Sequence, residues 1–238
     1  MAVSITMKEI RKSHKYFVAG DPRVNPEQAL TSCSTISKFI DGGANDGLLY
    51  WAFDASVRQG TRNGFKIENE RAMEAGNEIH SAIYEYIGTE GKSYPPDVPP
   101  VFGKWLAYFG ERVQEWIASE MYVYSPSYLY GGTLDAIGTI DGQNVLLDWK
   151  TTTRVRASGT TKKKDDLRYK SHATQLGGYW LALSEMELDF EMPTSAGVCY
   201  IMHDSDEIDI HWIDLEASVE AFKASLACYN ATGGLFLK

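Results

Sequence analysis

Two neighbouring segments near the middle of the chain alternate apolar and polar residues with the period of two that is typical of β-strands. They are residues 133–140 and 144–151, and the dipeptide Asp141-Gly142 lies between them. An Asp-Gly dipeptide in this setting strongly predicts a type I′ turn, because both central residues of that turn need a positive φ. The pattern therefore predicts a β-hairpin in which residues equally distant from the turn face each other.

This hairpin carries charged residues inside its apolar pattern. Counting back from the turn puts Asp135 opposite Asp148, and Lys150 lies two residues later on the same face. Like charges directly opposite each other destabilise a strand pair, and one lysine offsets two carboxylates only in part. Either one acid holds a proton or a divalent cation lies between the two, and oxygen ligands of this kind suit Mg²⁺ or Mn²⁺. A solvated strand pair without a chemical role is the alternative interpretation.

Both faces of the hairpin are expected to be covered, at least in part. Ile137 and Leu146 pair on the face of the acids, which argues against the solvated alternative. The opposite face is predicted to be core and carries Leu134, Ala136, Val145, Leu147 and Trp149.

Apolar spacing and turn residues predict the remaining elements. Helices are expected over residues 33–40, 48–60, 68–87, 101–119, 171–186 and 215–230, and further strands over 120–124, 197–203 and 207–213, the last two joined by a turn at Asp204–Asp206. Helices before, within and after a set of strands indicate an α/β or α+β sandwich. We expect one domain, residues 1–238, with an N-terminal helical part (1–67) and a core (68–238).

Composition narrows the class of protein. The 238 residues are 44% hydrophobic and 23% charged, as in ordinary globular proteins, and no apolar run approaches the ~18 residues of a membrane span. The N-terminus lacks the apolar segment of a secretory signal. Three widely spaced cysteines (Cys33, Cys199 and Cys228) suggest a reducing compartment, so we expect a cytoplasmic protein. No GxxxxGK[ST] loop is present, which argues against ATP-driven chemistry.

Charge is distributed unevenly along the chain. The net charge is −9, but residues 154–170 carry +5 and the rest of the chain therefore −14. Most charge runs are solvated loops. A basic loop directly after the acid pair is, however, what a phosphate-backbone substrate requires. The candidate DNA-binding residues are Arg154, Arg156, Lys162, Lys163, Lys164, Arg168 and Lys170.

Two helices carry further candidate residues. His80 adjoins the apolar stripe of the helix over residues 68–87, where it is either a core histidine or a metal ligand. Gln175 and Tyr179 are four residues apart and therefore share one helix face, although Tyr179 could equally be a core residue.

Taken in order, His80, Asp135, Asp148-Trp149-Lys150 and Gln175-x3-Tyr179 resemble the RecB-like branch of the PD-(D/E)XK nuclease superfamily. Within that branch the chain is similar to phage-type and mitochondrial genome-maintenance-like exonucleases. The resemblance is carried by GNEIHSAIYEYI, GGTLDAIGTIDG, VLLDWKTT and HATQLGGYWLAL, which span residues 76–183. DWK alone is common by chance, whereas the ordered set is much more specific.

The resemblance implies a PD-(D/E)XK core, a mixed β-sheet flanked by α-helices. It implies that Mg²⁺ or Mn²⁺ is held by His80, Asp135, Asp148 and the Trp149 carbonyl, that Lys150 positions the attacking water, and that Gln175 and Tyr179 support the site and contact DNA. An acidic residue is also common at the position of Glu120, whose role stays open. The sequence departs from the family pattern at Leu134, which precedes Asp135 where a proline gives the motif its name. Relatives with an iron–sulfur cluster use four cysteines, so three isolated ones predict no cluster.

The function expected from the resemblance is metal-dependent DNA exonuclease activity on single-stranded or end-resected DNA, in recombination, repair or replication. A single-strand-annealing or replication protein is a further expected partner, a membrane is not, and the compartment would be the host cytoplasm if a phage encodes the chain. Three alternatives stay open. They are an endonuclease of the same superfamily, a catalytically inactive DNA-binding subunit, and an unrelated metabolic enzyme with a solvated hairpin.

Overall fold

The centre of the fold is a mixed β-sheet. The computed structural model describes residues 2–10, 13–41, 46–153, 159–163, 169–205 and 207–232. Within these residues the sheet has eight strands: β1 (Ser4–Ile10), β2 (Ser13–Ala19), β3 (Leu30–Ser32), β4 (Val113–Ser125), β5 (Tyr130–Ile140), β6 (Gln143–Thr152), β7 (Ser195–Met202) and β8 (Ile208–Trp212). The order is β1-β2-β3-β5-β6-β7-β8, with β4 also paired to β5. The β3–β5 and β6–β7 pairs are parallel and the others antiparallel.

Helices cover both faces of this sheet. They are α1 (Cys33–Ser37), continued by a 3₁₀ turn (Lys38–Asp41), α2 (Asp46–Arg58), α3 (Gly64–Gly88), α4 (Pro100–Phe109), α5 (Lys170–Leu183) and α6 (Leu215–Thr232). Buried residues of α1, α5 and α6 form one core, here the α5/α6-side core, and those of α3 and α4 form the α3/α4-side core on the other face. The predicted α/β class, a mixed sheet flanked by helices, is confirmed. No helix in the described part of the chain is both long and apolar enough to span a membrane.

Two predicted helical segments contain strands instead. Most of the first 32 residues form β1–β3, and the predicted helix over residues 101–119 ends at Phe109, with β4 starting at Val113. In β2 the buried Tyr16 and Val18 alternate with less buried neighbours, which is a strand pattern. Both segments pair with other strands of the sheet, and such tertiary pairing overrides weak local preference. The turn predicted at 204–206 includes one residue, 206, that lies outside the described residues.

The predicted hairpin register is confirmed. Five cross-strand pairs run from Ile140–Gln143 to Ala136–Leu147. Asp141 and Gly142 have φ values of 51° and 77°, as a type I′ turn requires.

Beyond the last of these pairs the two hairpin strands diverge. β6 continues alongside β7, while the start of β5 pairs with β3. Asp135 and Asp148 are the first residues past the divergence, which we call the fork. Both acids therefore lie where the pairing of β5 with β6 has stopped, although Asp148 still pairs with Val198 of β7.

One predicted face of the hairpin is wrong. Leu134 belongs to the α5/α6-side core together with Ile137, although it was expected to share the opposite face with Ala136. The alternation of side chains between the two faces of the sheet is interrupted at Asp135. The same interruption occurs in the neighbouring strand β4 at Glu120, whose φ is 48°. A non-glycine residue in this left-handed region is strained, and such residues concentrate at functional sites.

Close packing of α5 on α6 gives a stability prediction. A Cβ at Gly177 would lie 2.4 Å from the Ser218 backbone, whereas a Cβ at Gly103 in α4 would meet nothing within 4 Å. Gly103→Ala should therefore stabilise the protein by about 0.5–1 kcal/mol through helix propensity. Gly177→Ala should destabilise it by about 1–3 kcal/mol, because overpacking outweighs that gain. Chemical denaturation of both variants checks the opposite signs, and equal effects would contradict the tight α5–α6 contact.

Candidate metal centre

Helix α3 brings His80 to the fork because it crosses β6 at short range. A Cβ at Gly76 would lie 3.3 Å from Thr151 Oγ1, which is a tight contact, so the glycine suits the close approach of α3 to β6. One helical turn later, His80 Nε2–H donates a hydrogen bond to the Trp149 carbonyl oxygen over 3.2 Å. This bond fixes the ring and turns Nδ1 toward the carboxylates of Glu120 and Asp135.

Three potential metal ligands converge at this point. His80 Nδ1 lies 3.6 Å from Glu120 Oε1 and 3.8 Å from Asp135 Oδ1. One ligand atom from each residue falls within a group whose members are all within 4.8 Å of one another. Carboxylate oxygens with one imidazole nitrogen suit a divalent cation such as Mg²⁺ or Mn²⁺.

The second acid of the fork is deeply buried and ion-paired. Only 1% of the Asp148 side chain is exposed, and its Oδ2 lies 2.6 Å from Lys150 Nζ. Asp148 Oδ1 has no hydrogen-bonding partner among the described residues. Asp135 is better satisfied, because its Oδ2 accepts a hydrogen bond from the Trp149 backbone N–H over 2.7 Å. A buried carboxylate oxygen without a partner is costly, so Asp148 adds to the strain of buried charge at the fork.

The pKa values at the fork reflect an excess of negative charge. Burial, followed by the charge of Asp148, raises the pKa of Asp135 to about 7. Burial lowers the pKa of His80, but the hydrogen bond to Glu120 and the charge of Asp135 outweigh burial and raise it. The same balance holds at Lys150, where burial opposes the charged form and Asp148 and Asp135 raise the pKa overall. Without a cation, the site therefore tends to bind protons.

These observations fit a bound divalent cation. The donor set is chemically appropriate, and Asp135, one of its members, favours its protonated form. His80, Glu120 and Asp135 would hold the ion. Of the other two predicted ligands, the Trp149 carbonyl is bonded to His80, and Asp148 is paired with Lys150 one strand away.

Gln175 and Tyr179 do share one face of α5, as predicted. Gln175 Nε2 donates a hydrogen bond to Tyr179 Oη over 2.6 Å. The Tyr179 ring fits against β5 because Gly132 has no side chain, and a Cβ there would lie 2.5 Å from the ring. Burial raises the pKa of Tyr179, and the charges of Asp135 and Asp148 raise it further, so the pair lies within electrostatic reach of the fork.

The structure describes part of the predicted basic loop. Lys162 Nζ donates a hydrogen bond to Thr152 Oγ1 over 2.8 Å, which brings it two residues beyond Lys150 on β6. Lys163 and Lys170 are exposed, and Lys170 begins α5. The other four predicted DNA-binding residues, Arg154, Arg156, Lys164 and Arg168, lie outside the described residues.

Glu120 is the site residue whose role the sequence left open. The available signal was a single acid inside the otherwise apolar end of β4, SEMYVYS. The three cysteines are free thiols in different surroundings, with Cys33 in the α5/α6-side core, Cys199 in the α3/α4-side core and Cys228 exposed.

Comparison with known proteins adds little to this geometry. No family model matches the chain, and no curated protein matches it. Among solved structures, the chain is similar to the crystal structure of SSO0001, at 17% sequence identity and a TM-score of 0.28. That match covers 47% of this chain and 50% of the other, so it spans about half of each.

Proposed function

We propose that the protein is a metal-dependent deoxyribonuclease of the RecB-like PD-(D/E)XK type that acts as an exonuclease. The observation that carries the proposal is the fork, where Asp135 and Asp148 stand at the diverging end of one hairpin. Lys150 pairs with one acid, while His80 and Glu120 approach the other. Two carboxylates with a lysine two residues after the second form the motif for which this superfamily is named, apart from its proline, which Leu134 replaces.

Phosphodiester hydrolysis sets clear chemical demands. A water oxygen forms a bond to phosphorus, one ester P–O bond breaks, and a proton from that water ends on the leaving oxygen. A divalent cation bound at the cluster would supply Lewis-acid activation and neutralise negative charge on the phosphate.

Lys150 supplies what a phosphate substrate needs from this chain. Its side chain is 26% exposed, so the ammonium group can reach a phosphate oxygen while Asp148 holds its orientation. A compact, positively charged donor of this kind stabilises charge that develops on the scissile phosphate and can hold a water molecule. His80 is oriented in turn by the Trp149 carbonyl, an arrangement that fixes a ligand before the ion binds.

The described basic residues favour a nucleic acid as the substrate. Lys162 is bonded to Thr152, close in sequence and on the same strand as Lys150, and Lys163 and Lys170 are exposed nearby in the chain. Lysines bind the phosphate backbone without reading sequence, so DNA of any sequence would serve.

Digestion of four DNA substrates tests the proposal. Linear and circular DNA, each single- and double-stranded, would be incubated with Mg²⁺, with Mn²⁺ and with EDTA. We expect metal-dependent loss of the linear substrates only, and a label at either end would give the direction. Cleavage of circles would identify an endonuclease instead. DNA binding without cleavage in either metal would identify an inactive DNA-binding subunit and overturn the proposed activity.

A further inference from the structure

A cleft of about 770 Å³ opens beside the fork on the α5/α6 side of the sheet. Its walls come from the first turns of α5 and α6 and from β7 and the edge strand β8. The residues used below are Tyr169, Lys170, Tyr200, His211, Asp214 and Ala217.

The floor of the cleft adjoins β6, the strand that carries Lys150. Tyr200, on its floor, is the parallel-strand neighbour of Lys150. Adjacent strands lie roughly 5 Å apart, so a strand of nucleic acid bound at Lys150 reaches the cleft within one nucleotide. The cleft is therefore the next surface that such a substrate meets on this side of the fork.

Ring contacts link three residues of the cleft, Tyr169, Tyr200 and His211, through His172, which is not part of the lining. Ring centroids are 5.1 Å apart for Tyr169 and His172, 6.0 Å for His172 and Tyr200, and 5.1 Å for Tyr200 and His211. A hydrogen bond of 2.9 Å joins His172 Nδ1 and Tyr200 Oη, which holds the middle of these linked rings in position. Tyr169, at the outer end, is 48% exposed, so its ring has an open surface on which a nucleobase can stack.

Charge at the cleft mouth suits a phosphate. Lys170 is exposed directly beside Tyr169, at the amino end of the 14-residue helix α5. Tyr169 makes no side-chain capping bond there, and the partial positive charge at the amino end of a helix also favours a phosphate. The acid at the mouth, Asp214, is occupied in capping α6, because its Oδ1 accepts a hydrogen bond from Ala217 N–H over 3.0 Å.

We propose that this cleft holds one unpaired nucleotide of the substrate strand, with its base stacked on Tyr169 and its phosphate next to Lys170. The inference rests on the proposed nuclease function and narrows it. A base paired in a duplex is stacked between its neighbours and cannot enter the cleft, so the substrate is single-stranded, or frayed, beside the scissile phosphate.

Binding of a short single-stranded oligonucleotide tests the assignment. Fluorescence anisotropy would be measured in Ca²⁺ in place of Mg²⁺. Ca²⁺ prefers a looser coordination geometry than Mg²⁺, so binding is expected to be observed without cleavage. Loss of one base–aromatic stack should weaken binding about tenfold in Tyr169→Ala, whereas Tyr169→Phe should bind as the wild type does. Tyr84→Ala is the matched control, because Tyr84 is similarly exposed, at 52%, on α3.

Two further measurements separate stacking from a general loss of structure. An oligonucleotide with one abasic position should bind the wild type about tenfold more weakly than the intact oligonucleotide does. Tyr169→Ala should bind the abasic and the intact oligonucleotide equally well. Ala217 is exposed on α6 and lines the cleft, so Ala217→Trp should fill the cleft and weaken binding without disturbing the core.

The outcomes distinguish the cleft from the nuclease. If the wild type cuts DNA while Tyr169→Ala, Ala217→Trp and the abasic substrate leave binding unchanged, the cleft assignment is wrong and the nuclease stands. If a free nucleoside binds but the oligonucleotide does not, the cleft serves a small ligand and the assignment is also wrong. If the wild type neither binds nor cuts DNA in Mg²⁺ or Mn²⁺, the proposed function itself has failed.

Discussion

The Lys150→Ala variant is expected to lose DNA cleavage by about 10²–10³-fold, the usual effect of removing a donor that stabilises charge in the transition state. Lys150 Nζ is close enough to Asp148 to be held in one orientation and exposed enough to meet a phosphate. DNA binding should largely survive, because it depends on many backbone contacts rather than on one lysine. Single-turnover cleavage of a linear substrate in Mn²⁺ measures the loss.

Stability has to be separated from chemistry in this experiment. Removing Lys150 leaves Asp148 buried without its ion-pair partner, and breaking a buried pair in this way costs about 3 kcal/mol. The double variant Asp148→Asn/Lys150→Ala no longer carries the unpaired charge, so its melting temperature should recover relative to Lys150→Ala. Cleavage should stay about 10²–10³-fold below the wild-type rate in both.

A matched lysine provides the control. Lys8 is exposed on β1, at the far edge of the sheet order from β6, and Lys8→Ala should cleave as fast as the wild type. Cleavage by folded Lys150→Ala within a few-fold of the wild-type rate would mean that Lys150 only balances the charge of Asp148.

The hairpin was predictable because its determinants are local. The Asp141-Gly142 turn fixes the register, and the register alone brings Asp135 and Asp148 to one level of the two strands. Lys150 follows from the period of two, and its ion pair with Asp148 was therefore accessible to sequence reasoning. The spacing of Gln175 and Tyr179 is equally local, and their hydrogen bond follows from one helical turn.

Other features depend on contacts between distant parts of the chain. His80 reaches Trp149, 69 residues away, only because Gly76 lets α3 pass close to β6. Glu120 faces His80 because its φ is positive, and no spacing rule indicates that conformation. The reversal at Asp135, which moves Leu134 to the α5/α6-side core, is likewise invisible to a period of two.

The N-terminal strands and the start of β4 were missed for a related reason. Most of β1 is exposed and β3 has three residues, so neither shows strong alternation. Both are strands because β2 and β5 offer partners. Residues 113–119 follow a real helix, α4, and pairing with β5 is what makes them a strand.

The Asp135→Asn variant is expected to be more stable than the wild type without metal and to lose the stabilisation that metal provides. In the metal-free protein Asp135 stands buried beside Asp148 and Glu120, so removing its charge relieves repulsion. The amide oxygen can still accept the hydrogen bond from Trp149 N–H, so the fork keeps its shape. The charge of Asp135 therefore lowers the stability of the metal-free wild type, and the same charge is what binds the cation.

The largest expected effect is the rise in melting temperature when the metal binds. A ligand at 100 times its Kd stabilises a folded protein by about 2.7 kcal/mol. For a chain of this length that corresponds to a rise in melting temperature of roughly 5–10 °C. We expect this rise when the wild type is titrated with Mn²⁺, and little or none in Asp135→Asn. Asp97→Asn, in the exposed loop between α3 and α4, is the control and should respond as the wild type does.

The pH dependence of the metal-free proteins supplies an independent check. The pKa of Asp135 is about 7 in the folded protein, above its ordinary value of 3.8, so the folded state binds the extra proton between these values. The wild type should therefore lose stability as the pH rises from about 4 to about 7, and Asp135→Asn should not show that loss. Denaturation in EDTA at pH 4, 5.5 and 8 measures the free energy of unfolding of both proteins, and the difference between Asp135→Asn and the wild type should grow with pH. A gap that stays constant with pH, or a full Mn²⁺ shift in Asp135→Asn, would mean that the cation does not bind at this acid.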